Sequence, residues 1–269
     1  MNVDTIPIPA IAKLREAMRR PECPICTLRQ EALDRYFSRW VWDYINDPEA
    51  LIEMRSSLGL CREHTWQLFD VDLREYGDSL GTGVIYEDLL SHVAGVLRKA
   101  GADVGEEQVE GPSRWQRLRR WIRRRSALLR WFRPSSNPAN TLLHAEPCRA
   151  CRYNELAERR DICWLVLLLE SEVDRTRYAA SRGLCLRHLR QALDLAAEID
   201  PTTAQFLIDA AARQLVDLAS DLRGYLAKRS ADRRHEPMTA REQSAPRRVA
   251  QYFGGLEVWS GQRRRLDSI

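Results

Sequence analysis

Two copies of one cysteine–histidine pattern constrain this chain more than any other feature. Cys23-Pro24-Ile25-Cys26 is followed by Cys61-Arg62-Glu63-His64. Cys148-Arg149-Ala150-Cys151 is followed, at almost the same spacing, by Cys185-Leu186-Arg187-His188. Three thiolates and one imidazole per copy form the donor set of a closed tetrahedral zinc site. The candidate metal ligands are therefore Cys23, Cys26, Cys61 and His64 in the first copy, and Cys148, Cys151, Cys185 and His188 in the second. The expected cofactor is two zinc ions. An iron–sulfur cluster is the competing use of such ligands.

The likeness between the copies reaches past the ligands. Both end in Ser-x-Gly-Leu-Cys-x-x-His, over Ser57–His64 and Ser181–His188. Laid one on the other, the copies place Leu28 on Tyr153, Ala32 on Ala157, Phe37 on Ile162 and Trp40 on Leu165. Apolar character thus persists at helical spacing while residue identity drifts, which reads as a tandem duplication. The pattern predicts an all-α fold of two helical repeats, each clamped by its own Cys3His site. Asp47-Pro48 and Asp200-Pro201 mark helix starts, with Asp as N-cap and Pro in the first turn. Between Cys26 and Cys61 the sequence reads as a helical hairpin, with one long arm and one shorter arm. A hairpin returns to its origin, so each copy is expected to close its own site. Further helices are predicted over Glu63–Tyr76, Val84–Ala100, Leu186–Glu198 and Thr202–Lys228. The corresponding division of the chain is 1–100 for the first repeat and 148–229 for the second. Residues 101–147 form a linker, and 230–269 a polar tail with a docking helix around Val249, Tyr252, Phe253, Leu256 and Trp259.

Charge singles out the linker. Of 42 basic and 38 acidic residues, nine arginines and no acids lie between Arg114 and Arg133. Without that stretch, acids outnumber bases 38 to 33. Plotted as a helix, Trp115, Leu118, Trp121, Ile122, Leu128, Leu129 and Phe132 fall on one side, and Arg119, Arg120, Arg123 and Arg130 on the other. Such a basic amphipathic helix either packs on its own protein or meets a partner. A partner would be contacted through Arg117, Arg119, Arg120, Trp121, Arg123, Arg124 and Trp131. The chemistry admits a protein, an anionic membrane surface or nucleic acid.

Several function classes have no support. No apolar run approaches the roughly 18 residues of a spanning helix. The stretch Met1 to Arg20 lacks the basic head and apolar run of a secretion signal. Cytoplasmic residence is therefore expected, where paired cysteines favour metal over disulfides. Phosphate-loop, dinucleotide and hydrolase motifs are absent. Glu63, between Cys61 and His64, is matched by Arg187 in the second copy, so no acid–base chemistry is shared. His144-x-Glu146 abuts Cys148 and forms no deaminase site. Cys163 stands outside both motifs and is expected in a core. The balance favours a binding protein over an enzyme, with a thiol-based redox sensor as the alternative.

The doubled motif resembles an uncharacterised bacterial family with an internal duplication. In that family each half carries Cys-Pro-x-Cys and then Ser-x-Gly-Leu/Phe-Cys-x-x-His. Arg149 stands where that pattern has proline. The resemblance implies a helical metal-binding protein and assigns no activity.

Overall fold

The computed structural model describes residues 6–45, 47–106 and 146–256. Among these, ten α-helices and no strand occur. They are α1 (Ile8–Ala17), α2 (Pro24–Arg39), α3 (Pro48–Ser56), α4 (Arg62–Tyr76) and α5 (Leu80–Glu106), then α6 (Arg149–Leu168), α7 (Glu172–Ala180), α8 (Leu186–Ile199), α9 (Pro201–Ala227) and α10 (Ala240–Gly254). A π-helical turn, Trp40–Tyr44, prolongs α2. The all-α expectation holds among the described residues, and none of their helices is long and apolar enough to cross a membrane.

Local chemistry sets the helix starts. Asp47 accepts from the Glu49 amide, with Pro48 opening α3. Asp200 accepts from the Thr202 and Thr203 amides, with Pro201 opening α9. In both cases an aspartate satisfies helix donors while proline gives up a donor the first turn does not use. Thr239 and Glu242 form a reciprocal capping box at the start of α10. Trp259 and the arginines beyond it lie outside the described residues, as does the whole Arg114–Arg133 stretch.

The chain forms two compact units: Met1–Arg35 with Tyr153–Ile269, and Tyr36–Arg152. In the first unit, five successive residues of α6 and its end, Leu165 to Leu169, are all buried. A helix buried around its whole circumference must be enclosed by its neighbours. Leu14, Ile25, Tyr178, Ala192 and Leu207 are among the residues that enclose it, and half-buried Cys163 packs at the edge of this core. Asp174, fully buried, receives two hydrogen bonds of 2.9 Å from Arg15, which offset the cost of burying its charge. The tail helix α10 is held in this unit by ion pairs from Lys228 to Glu242 and from Arg241 and Arg248 to Asp221.

In the second unit, Phe37, Trp40, Met54, Leu68, Val71 and Ile85 are buried. Buried Asp72 accepts from the Thr82 amide at 2.7 Å and so satisfies a first-turn donor of α5. Gly81 lets α5 approach the end of α2 closely. A Cβ there would lie 2.5 Å from Val41 Cγ1.

Candidate metal centres

All four cysteine motifs sit at helix N-termini. Cys61 and Cys185 are the N-caps of α4 and α8, and the carbonyl of each accepts the first helical amide, from Thr65 and Leu189. Cys23 and Cys148 do the same for α2 and α6, accepting from Thr27 and Arg152. The second member of each motif, Cys26, His64, Cys151 or His188, follows three residues later, on the same face of the first turn. Each helix therefore aims its free amides and the positive end of its dipole at the donors, a placement that stabilises the negative charge of a metal–thiolate group.

The Ser-x-Gly-Leu segment explains how the second motif reaches that position. In each copy, a helix ends and the chain must reverse at once into the next. Gly59 and Gly183 make the reversal with φ of +94° and +71°. Side chains resist that region, and at Gly183 a Cβ would also lie 2.0 Å from Gln214 Oε1. Ser181 Oγ accepts from the Gly183 amide at 3.1 Å and fixes the turn.

The eight donors gather into two groups. Their membership overturns one expectation. Cys23 and Cys26 meet Cys185 and His188, not Cys61 and His64. Cys61 and His64 meet Cys148 and Cys151. Each group thus takes the first motif of one copy and the second motif of the other. The cause lies in the unequal arms of the hairpin. Helix α2 has 16 residues and its π-turn adds five, whereas α3 has nine. At 1.5 Å per residue these are about 31 Å out and about 14 Å back, so the hairpin does not return Cys61 to Cys26. The second copy repeats the mismatch, with 20 residues in α6 and nine in α7. Each group falls wholly within one compact unit: the first in the unit of Met1–Arg35 and Tyr153–Ile269, the second in Tyr36–Arg152.

The spacings suit a tetrahedral ion. Zinc bonds to sulfur and nitrogen imply edges of about 3.8 Å between sulfurs and about 3.6 Å from sulfur to nitrogen. In the first group Cys26 and Cys185 sulfurs are 3.8 Å apart, and His188 Nδ1 lies 3.2–3.4 Å from the sulfurs of Cys23, Cys26 and Cys185. In the second, Cys61 and Cys151 sulfurs are 3.7 Å apart, and His64 Nδ1 lies 3.2–3.6 Å from the sulfurs of Cys61, Cys148 and Cys151. These separations far exceed a disulfide bond, and all seven cysteines are free thiols.

The electrostatics also call for a cation. Burial pushes the Cys23 thiol well above its ordinary value, and hydrogen bonding with Cys185 and Cys26 adds to the rise. Burial, then the charges of Cys148 and Cys61, push Cys151 up to about 12. In each group the negative charge instead settles on one sulfur: against burial, hydrogen bonding with His64 brings Cys148 down to about 6, and hydrogen bonding with Cys23 and Cys26 lowers Cys185. A divalent ion would let all three sulfurs of a group ionise.

The two groups differ in their surroundings. In the first, all four residues are buried, whereas in the second Cys151 is exposed and Cys61 and Cys148 are half-buried. Behind His188, its Nε2 lies 3.5 Å from Oε1 of Glu158, a carboxylate only 1% exposed that also receives Arg187 Nη2 at 2.8 Å. Burial opposes ionisation of Glu158, but His188, Gln191 and Arg187 outweigh it and hold the carboxyl at about 2. An ionised partner on the far ring nitrogen fixes the histidine tautomer that offers Nδ1 to a metal. The repeat gives no sign of Glu158, because the aligned position in the first copy is Leu33. His64 instead has the Phe37 ring 5.9 Å away. Replacing Glu158 with Gln should weaken metal at the His188 group by about 10- to 100-fold and leave the His64 group unchanged. Competition against a chromogenic chelator measures both.

Arg149, the departure from Cys-Pro-x-Cys, has its own role. Its guanidinium lies over the Trp40 ring, 5.6 Å from the centroid, and pairs with Glu53. Proline at that position in the first copy, Pro24, simply opens α2. The sequence-predicted contact residues Arg117, Arg119, Arg120, Trp121, Arg123, Arg124 and Trp131 lie outside the described residues.

A family model described as a family of unknown function, DUF6062, matches residues 1–258. The chain belongs to this family. An uncharacterised 23.9 kDa protein encoded in the xynA 3′ region of Caldicellulosiruptor sp. (strain Rt8B.4) is 29% identical over 75 residues. That match covers 28% of the chain and 34% of the relative, so the chain spans about a third of that relative's length. No solved structure matches the chain.

Proposed function

We propose that this DUF6062 member is a zinc-binding interaction protein, in which two closed zinc sites are structural and a partner is met elsewhere on the helical surface. One observation carries the reading: two independent groups each bring three sulfurs and one Nδ1 within 4.8 Å of one another, the donor set and close spacing that a tetrahedral zinc ion needs. Four protein donors leave no position for water or substrate, so the ion's work is to hold helix ends together. The free thiols suit a reducing compartment, and we assign the protein to the cytoplasm on that ground. An unidentified protein is the favoured partner. An anionic membrane or nucleic acid is the alternative suggested by the sequence of Arg114–Arg133.

Elemental analysis of protein purified without added metal tests the reading, with two zinc equivalents per chain expected. Iron with sulfide, or no metal in a folded helical protein, would overturn it. A second reading, a redox sensor that releases zinc on oxidation, is favoured only at the second group, where Cys151 is exposed. Reversible loss of one zinc under mild peroxide would support that reading. Retention of both supports a purely structural role.

A further inference from the structure

The first unit contains a cavity of about 460 Å³ with Cys23 and Cys185 in its wall, beside the buried metal-ligand group. The size is that of a site for a small organic molecule. Leu184, Leu215 and Leu218 supply an apolar side, while Arg182, Arg241 and Arg248 supply charge.

The three arginines are not evenly neutralised. Arg241 Nε and Arg248 Nη2 share the one carboxylate of Asp221, at 3.2 and 2.7 Å. Arg182 makes no ion pair among the described residues. Burial, then the neighbouring charges of Arg248 and Arg241, disfavour its protonated form. It also lines an adjoining cleft with Arg15, Arg19, Arg20 and Arg177, whose charges are met in turn by Asp174, Glu16, Glu31 and Asp174. Asp221 and Glu22 offset part of the effect of burial and like charge on Arg182, yet Arg182 itself makes no direct ion pair among the described residues, so its guanidinium is left for an oxyanion.

Glu22 and exposed Asp217 also line the cavity. They limit what fits. A polyphosphate or a nucleic-acid strand would meet two carboxylates, whereas a single oxyanion group can face the arginines alone. The backbone around Arg182 is set in advance. Gly183 turns with positive φ, and Gln214 Nε2 donates to the Ser181 carbonyl at 3.2 Å.

We propose that this cavity binds a small organic molecule carrying one phosphate or carboxylate group. Arg182 and Arg248 hold the oxyanion, and Leu215 and Leu218 face the apolar body. The ligand would cover the Cys23 and Cys185 side of the metal group, so occupancy also shields those sulfurs.

The test uses the full chain with its metal content verified, titrated calorimetrically with inorganic phosphate, phenyl phosphate and benzoate at constant ionic strength. Saturable one-to-one binding is expected, tighter for an aromatic oxyanion than for inorganic phosphate, and the two aromatic probes separate phosphate from carboxylate preference. Arg182→Gln should weaken the best probe at least about tenfold, the worth of one charge-assisted contact. Arg159→Gln, on an exposed arginine away from the cavity, should bind like the unaltered protein. Because Arg182 is itself an exposed side chain, its variant should keep its helicity. Absence of saturable binding by all three probes, or undiminished binding by Arg182→Gln, overturns the proposal. Metal content in the same samples reports separately on the zinc reading.

Discussion

Serine at both Cys26 and Cys185 should leave one metal ion per chain, whereas serine at both Cys26 and Cys61 should leave none. The first pair belongs to a single donor group, so the other group stays whole. The second pair takes one sulfur from each group. Had each copy closed its own site, the outcomes would be reversed. Native mass spectrometry of the two variants, made from zinc-replete cultures, distinguishes the arrangements. The effects are large because a structural zinc contributes on the order of 10 kcal/mol, comparable to the whole stability of an ordinary domain. A Cys26→Ser/Cys185→Ser protein without metal, beside a Cys26→Ser/Cys61→Ser protein with one ion, would refute the exchanged pairing.

If the two groups hold zinc as proposed, the metal should leave in two well-separated phases when a chelator and a thiol-alkylating reagent are supplied together. The fast equivalent comes from the group of Cys61, His64, Cys148 and Cys151, where one sulfur is exposed and two are half-buried. The slow one comes from Cys23, Cys26, Cys185 and His188, all buried and backed by Glu158. Outer contacts of that kind alter metal retention by about 10- to 100-fold, so the phases should differ by at least about tenfold. Peptide mapping at the end of the fast phase should find label on Cys61, Cys148 and Cys151. A single phase of two equivalents, or first labelling at Cys23, Cys26 or Cys185, would contradict the expected difference.

Much of this is legible in the residues. The donor identities, the helical class and the Asp-Pro helix starts follow from chemistry within a few residues, and local rules suffice for such features. Pairing of the motifs does not follow from such rules, although the relevant fact is present in the sequence. One arm of the hairpin is long and the other short, and that inequality, expressed as rise per residue, already prevents the ends from meeting. Glu158 escapes for another reason. It acts on one group only, and the comparison of copies cannot reveal a residue whose counterpart is Leu33. The cavity around Arg182 escapes because its walls come from near Cys23, from the end of α7, and from α9 and α10, segments far apart along the chain.

Both ions would be gripped from either side of residues 65–147, since His64 is the last ligand before that interval and Cys148 the first after it. A protease that cut anywhere inside this interval would therefore yield two fragments still fastened by two coordination knots. With both ions in place, covalent continuity there would be dispensable for cohesion. Insertions after α5 and before Cys148 would accordingly leave the ligand order across both ions unchanged.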